Sequence, residues 1–183
     1  MTDKFASRRA ELTERIADAL LDHGVAVIPL RDLAGLLGTS DRMLLYYFET
    51  QAGLVTAALS CLSQHLSRRL ERAIPDKPLA PALLLKRVLS VMAQPDIART
   101  LRVWADVSAR GARGEAPFNA FAAASVTGWT DWIEKRLDVG DRAVRRKTAA
   151  AMLVVVEGAR MIELAAPGSA KGAVTLLAEA FEI

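Results

Sequence analysis

The stretch PLRDLAGLLGTSDRMLLYYFETQAGL, residues 29–54, decides the fold. Its pattern is a helix, a glycine-containing turn and a second, shorter helix. Gly38 permits the tight turn, and a hydroxyl just after it can accept backbone N–H bonds at the start of the second helix. The predicted parts are, in order, Pro29 at the first turn, a helix over Leu30 to Leu37, the turn at Gly38, a cap at Thr39 or Ser40, and a helix over 41–48.

Helical periodicity continues on both sides of this stretch, and no alternating strand pattern interrupts it. A supporting helix is predicted over Ser7–His23, stopped by Gly24. Apolar residues at every fourth position predict a long helix from Gln51 to near Ile74; they are Leu54, Ala58, Leu62, Leu66 and Leu70. The chain is therefore predicted to be all-α, with about nine helices. The five further helices are Ala82–Ala93, Ile97–Arg110 (capped by Asp96, ended by Gly111), Phe118–Leu137, Arg142–Ala165 (capped by Asp141) and Ala170–Phe181 (capped by Ser169).

Composition sets the class of protein. The 183 residues are 52% hydrophobic, 25% charged and 5% aromatic, which is typical of an ordered helical chain with one or two units. Cys61 is the only cysteine, so an intrachain disulfide is excluded, and the two histidines show no metal-ligand spacing; we expect no metal or cofactor. The first residues lack the apolar core of a signal peptide, so we expect a cytoplasmic protein without membrane partners.

Catalytic signatures do not occur in the sequence. It contains no G-x-S-x-G, no glycine-rich phosphate loop, no H-E-x-x-H and no nucleophile paired with a base. The chain is therefore not expected to be an enzyme. The spacing of residues 29–54 instead suits a helix-turn-helix, in which the first helix braces a second that is short enough for a DNA major groove.

A set of short motifs follows at fixed spacing along residues 8–54: Gly24, Arg31-Asp32-Leu33-Ala34, Leu37-Gly38-Thr39-Ser40, Leu44-Leu45-Tyr46-Tyr47-Phe48 and Gln51-Ala52-Gly53-Leu54. With these motifs, residues 8–54 resemble, without a gap, the DNA-binding head of the TetR/AcrR family of transcriptional regulators. The resemblance implies a helix-turn-helix DNA-binding domain over 1–50 and a ligand-binding and dimerisation domain over 51–183, beginning with a connecting helix, 51–74.

The resemblance also implies that residues 39–47 face DNA, with Arg31 near the duplex. Arg31 and Arg42 suit guanine or phosphate, because a guanidinium donates a planar pair of hydrogen bonds. Asp41 suits a cytosine amino group, and basic side chains of the first helix suit flanking phosphates. The candidate DNA contacts are Arg31, Thr39, Ser40, Asp41, Arg42, Met43, Tyr46, Tyr47, Lys4 and Arg8, with Arg9 beside them.

Three positions depart from the family pattern, each at the expense of a phosphate donor. Leu45 replaces a tyrosine, Gln51 replaces a lysine, and Ile28-Pro29 replaces the usual threonine or serine. Residues 1–50 also carry eight acidic and six basic side chains. These features favour an alternative, a dimeric small-molecule-binding or protein-interaction module that reads no specific DNA.

The predicted ligand-binding and dimerisation domain, residues 51–183, suggests an effector and a partner subunit. The resemblance implies that the last two helices pair with their two-fold mates in a homodimer, and the sequence is consistent with this, because these helices are more apolar than solvent-facing helices should be. Six large apolar residues can line a cavity for a small, largely apolar effector, although ordinary core positions explain each one separately. They are Met92, Trp104, Phe118, Phe121, Trp129 and Trp132. The combined prediction is a repressor that binds a palindromic operator and is released by its effector.

Overall fold

The computed structural model describes residues 2–25 and 29–181, so Ile28, one of the three departures, lies outside the described residues. Within these ranges the chain forms nine helices and no strand, which confirms the all-α prediction. Leu79 and Leu137 form an isolated parallel β-bridge, which does not extend into a strand. The helices are α1 (Thr2–His23), α2 (Leu30–Leu36), α3 (Asp41–Phe48), α4 (Gln51–Ala73), α5 (Pro81–Met92), α6 (Ala98–Ala112), α7 (Phe118–Glu134), α8 (Arg142–Ala165) and α9 (Lys171–Glu179).

Helix α6 differs from its predicted limits at both ends. Asp96 does not start the helix, because its carboxylate pairs with Arg69 and the helix begins at Ala98. Gly111 does not stop it either. A β-carbon at Gly111 would lie 3.2 Å from the Phe118 carbonyl oxygen, so this glycine allows α6 and the start of α7 to approach closely.

The start of α9 also corrects the sequence prediction. Ser169 does not cap this helix, whose N-cap is Ala170 without a side-chain hydrogen bond. Glu163 near the end of α8 accepts the backbone N–H groups of Gly168 and Ala170 at 2.7 and 2.9 Å instead. These two hydrogen bonds lower the pKa of the Glu163 carboxyl below its ordinary value.

The chain divides into two compact units. The first takes in Met1–Ser67 and Arg102–Ala122. It has one continuous core, in which side chains of α1 to α4 meet residues of α6 and the start of α7. Its most deeply buried large residues include Leu12, Ile16, Leu44, Leu54 and Val107.

The second unit takes in Arg68–Leu101 and Ala123–Ile183, and its helices α5, α8 and α9 contact one another. Leu84 and Leu85 of α5 and Met152 of α8 are fully buried. Arg160 is also buried: it donates to the Leu101 carbonyl oxygen at 3.0 Å and pairs with Glu157. None of the described helices is both long and apolar enough to cross a membrane.

Candidate nucleic-acid interface

A turn at Gly38 and a helix cap at Ser40, both predicted from the sequence, stabilise the α2–turn–α3 segment. Gly38 adopts a φ of +62°, in the left-handed region that favours glycine. The Thr39 N–H donates to the Ala34 carbonyl at 2.9 Å, which closes the end of α2. Ser40 is the N-cap of α3, and its hydroxyl oxygen accepts the Met43 N–H at 3.2 Å. Of the two predicted caps, the structure therefore selects Ser40.

Helix α3 has one face in the core and another in solvent. Leu44 and Phe48, four residues apart, are 0% and 4% exposed. Arg42 is exposed on the opposite side, Met43 is 40% exposed and Tyr46 is 63% exposed. An eight-residue helix is marginal in isolation, so burial of the first pair keeps the exposed side chains in a fixed arrangement.

The remaining candidates on this face differ in their surroundings. Arg31 is exposed on α2, and Thr39 is half-buried in the turn. The Asp41 carboxylate accepts the Arg42 N–H at 2.9 Å in the first turn of α3. A carboxylate is favourable at a helix N-terminus, which offsets part of the repulsion that Asp41 would exert on a phosphate.

An aromatic cluster, composed of Phe5, Tyr46 and Tyr47, joins the start of α1 to the end of α3. Phe5 lies with its ring centroid 4.9 Å from Tyr47 and 5.6 Å from Tyr46. Arg9, one turn further along α1, donates from Nε to the Tyr47 carbonyl oxygen at 3.1 Å and lies over the Phe48 ring. These contacts anchor the half of α3 that is far from its cap.

Sequence reasoning missed Phe5 and the bracing role of Arg9. The reason is the start of α1, which the structure places at Thr2 rather than Ser7. Once the helix is extended, Phe5 and Arg9 fall at i and i+4 on one face, and this spacing is the signal that was available. Lys4 and Arg8 lie on the same helix; Lys4 is exposed, whereas Arg8 is half-buried and pairs with Glu11 at 2.6 Å.

The junction between α3 and α4 is short and close. Glu49 adopts a φ of +65°, and the Thr50 hydroxyl accepts the Gly53 N–H at 2.9 Å at the start of α4. A β-carbon on Gly53 would lie 2.5 Å from the Phe48 carbonyl oxygen. Only glycine therefore fits without displacement, and the end of α3 is pressed against the first turn of α4.

The six candidate effector residues divide between the two units. Phe118 is buried in the first unit, with Trp104 and Phe121 half-buried against the same core. The second unit holds Trp129 and Trp132, whose ring centroids are 6.2 Å apart, and the half-buried Met92.

A partly open cleft of about 290 Å³ lies in the first unit, and Phe118 lines it together with Leu20, Val25, Leu54 and Arg110. The Arg110 guanidinium is already engaged. It donates to the Val25 carbonyl oxygen at 2.7 Å and to Glu115 at 2.6 Å, and it lies over the Phe118 ring. Hydrogen bonds from Arg110 and Arg113 lower the pKa of the Glu115 carboxyl. These contacts give Arg110 a structural role on the cleft wall.

The Trp132 indole has a different environment in the second unit. The Arg136 guanidinium lies 4.0 Å from the centroid of its ring. The Nε1–H of Trp132 is buried and has no hydrogen-bond partner within the described part of the chain. Buried indole N–H groups normally find an acceptor, so this position has unused hydrogen-bonding capacity.

The helix order and the helix-turn-helix near the N-terminus define the fold of TetR-family transcriptional regulators, as the sequence resemblance implied. Solved structures that share this architecture include the following three. A Rhodococcus sp. protein assigned to that family is 21% identical, with a TM-score of 0.75 over 97% of each chain. A transcriptional regulator from Rhodococcus sp. Rha1 is 19% identical, with a TM-score of 0.75 over 94% of this chain and 95% of its own.

The third structure is a TetR transcription regulator from Haloarcula marismortui ATCC 43049. It is 18% identical, with a TM-score of 0.69 over 96% of both chains. No protein-family model and no curated protein matches the sequence. The shared architecture is thus established by structure, and it spans nearly the whole chain.

Proposed function

We propose that the protein is a ligand-responsive, one-component transcriptional repressor. Two recognition helices of a homodimer, α3 of each subunit, read a palindromic operator in successive major grooves. A small, largely apolar effector releases the complex. The observation that carries the proposal is α3 itself: a capped helix that buries Leu44 and Phe48 and exposes Arg42, Met43 and Tyr46.

The exposed side chains supply the chemistry for DNA recognition. Arg42 is the main candidate for a guanine edge or a phosphate, because its guanidinium donates two parallel hydrogen bonds. Tyr46 and Ser40 suit phosphate oxygens, and Met43 suits the methyl group of thymine. Arg31 and Lys4 are exposed cations that suit the flanking backbone.

Apolar side chains on α8 and α9 support the homodimer. Val154 is 72% exposed and Leu176 is 68% exposed. Along α8 the exposed positions Ala151, Val154, Gly158 and Met161 follow helical spacing, so they form one apolar stripe. An isologous pair of subunits would remove this stripe from water, and small residues within it permit close helix approach.

Within each unit separately, aromatic side chains support the effector proposal. In the second unit Trp132 offers a buried N–H that has no partner among the described residues, which suits a ligand that combines an apolar body with one hydrogen-bond acceptor. The ligand releases DNA only if it prefers one spacing of the two α3 helices, because equal affinity for both states changes nothing.

Selection from a randomised duplex pool tests the regulator function. The untreated protein should enrich a two-fold-symmetric motif with half-sites about one helical turn apart. Arg42→Ala should weaken binding to that motif by about 5-fold to 150-fold if Arg42 reads a base. Arg142→Ala is the matched control, because Arg142 is an exposed arginine outside the helix-turn-helix.

The salt dependence of binding separates the two roles of Arg42. Loss of a phosphate contact should lower the slope of log affinity against log salt by about 1, whereas loss of a base contact should relax the motif at one position. If a folded dimer enriches no sequence, the regulator proposal fails. The departures at Leu45 and Gln51 would then favour the small-molecule-binding or protein-interaction module.

A further inference from the structure

Three side chains of different metal-ligand types meet between α1 and α4. Cys61 and His65 are one turn apart on α4, and Glu14 lies on α1. The Cys61 Sγ is 3.7 Å from the His65 Nε2, which is 3.3 Å from the Glu14 Oε1 and 3.2 Å from the Oε2. One ligand atom from each residue lies within 4.8 Å of the other two. All three residues belong to the first compact unit.

These separations suit a tetrahedral cation. Zinc lies ~2.3 Å from sulfur and ~2.0–2.2 Å from imidazole nitrogen and carboxylate oxygen, so tetrahedral edges are about 3.6 Å for S···N and about 3.4 Å for N···O. The observed separations are 3.7 Å and 3.2–3.3 Å, and the sulfur and the carboxylate oxygen lie within 4.8 Å of each other. Rotation of the exposed Glu14 side chain would bring its oxygen toward the tetrahedral S···O edge of about 3.6 Å.

Burial leaves one side of the cluster accessible. Cys61 is 7% exposed, whereas the side chains of His65 and Glu14 are 42% and 52% exposed. The thiol therefore faces the protein, and the other two ligands border solvent. Three protein ligands with water in the fourth position make an open site, and a thiolate–imidazole–carboxylate set favours Zn²⁺ over Mg²⁺ or Ca²⁺.

We propose that Glu14, Cys61 and His65 form a binding site for Zn²⁺ or a chemically similar divalent cation, with water as the fourth ligand. Binding releases the thiol proton to solvent and leaves His65 neutral. The site links α1 to α4, because Glu14 and Cys61 are 47 positions apart in the sequence. Its existence does not depend on DNA binding, so each proposal can fail alone.

Titration of the reduced, metal-free, untagged chain with Co²⁺ is the direct test. The expected product has one Co²⁺ per chain, a thiolate-to-cobalt charge-transfer band and the intense visible bands of four-coordinate cobalt, all removed by Zn²⁺. Zn²⁺ at a hundredfold excess over its Kd should raise Tm by about 5–10 °C.

Single substitutions identify the ligands. Cys61→Ser should abolish the charge-transfer band, and His65→Gln and Glu14→Gln should each weaken Co²⁺ binding at least ~10-fold, since even outer-shell changes cost that much. His23→Gln is the matched control, because His23 is the other histidine of the chain. It should bind Co²⁺ like the unmodified protein.

Absence of a thiolate band overturns the proposal, as does equal Co²⁺ affinity in the unmodified protein and His65→Gln. Circular dichroism of the metal-free variants checks that each is folded. If Cys61→Ser does not fold, zinc-edge X-ray absorption of the Zn²⁺-loaded unmodified protein decides. One sulfur with nitrogen and oxygen neighbours supports the site, and a shell without sulfur overturns it.

Discussion

Replacing Gly53 with alanine should loosen the junction between α3 and α4. The added β-carbon would lie 2.5 Å from the Phe48 carbonyl oxygen, whereas ordinary contacts begin at 3.4 Å. Relief therefore requires about 0.9 Å of movement between the end of α3 and the first turn of α4. Backbone atoms oppose that movement, because Phe48 is buried and the Thr50 hydroxyl holds the Gly53 N–H.

The free-energy change combines two opposing effects. Overpacking costs about 1–3 kcal/mol, and alanine in place of a helical glycine contributes about 0.4–1 kcal/mol of stability through the unfolded chain. The net loss is about 0–2.6 kcal/mol, and its midpoint of about 1.3 kcal/mol lowers Tm by about 3–5 °C in a chain of this length.

Thermal unfolding followed by circular dichroism measures this difference, with Gly128→Ala as the matched control. Gly128 is helical, and a β-carbon there would meet nothing within 4 Å. That variant should therefore gain about 0.4–1 kcal/mol. If Gly53→Ala raises Tm by as much as Gly128→Ala, the inference that α3 and the first turn of α4 leave no room for a β-carbon is wrong.

Three further substitutions test the cap, the dimer and the turn after α8. Ser40→Ala should lower Tm by about 2–4 °C, since an N-cap contributes about 1 kcal/mol. Ser40→Asp should keep the Tm of the unmodified protein, because Asp is also a good N-cap, and equal Tm values for the two variants would contradict the capping role. Val154→Asp should yield monomers in analytical ultracentrifugation, and Val126→Asp, also exposed, should not; a dimeric Val154→Asp protein would exclude this interface. The lowered pKa of Glu163 means that its stabilisation is present above the ordinary value of 4.5 and disappears as pH falls through the lowered pKa. The Tm difference between the unmodified protein and Glu163→Gln should therefore be constant above pH 4.5 and shrink as the pH is lowered below it, and a difference that does not change with pH would refute this role.

Local sequence signals predicted most of the fold. The turn at Gly38 and the cap at Ser40 depend on neighbouring residues alone, so α3 was found at its observed limits, Asp41–Phe48. Helix α8 was found in the same way from the Asp141 cap. Asp96 and Gly111 were misread because their roles depend on distant residues: an arginine on α4 takes the carboxylate, and the start of α7 occupies the space beside the glycine.

The candidate sites also differ in whether local sequence or tertiary structure determines them. The exposed face of α3 was predictable, because helical spacing separates Leu44 and Phe48 from Arg42 and Met43. Spacing also places His65 one turn beyond Cys61, a pair that the expectation of no metal overlooked and on which the proposed cation site depends. Glu14 was not predictable as their neighbour, since only tertiary structure brings α1 beside α4. The functions of the DNA contacts and of the six effector residues remain predictions.

Within α3, the residues that stabilise the helix are not the residues that we propose contact DNA. Ser40, Leu44 and Phe48 determine that the helix exists, whereas Arg42 and Met43 project from it and support little else. A library randomised at the projecting positions should therefore consist mostly of folded proteins, because exposed substitutions usually change stability by less than about 0.5 kcal/mol. Under the proposed function, a few substitutions on this surface would change the operator that the protein binds and leave the buried core unchanged.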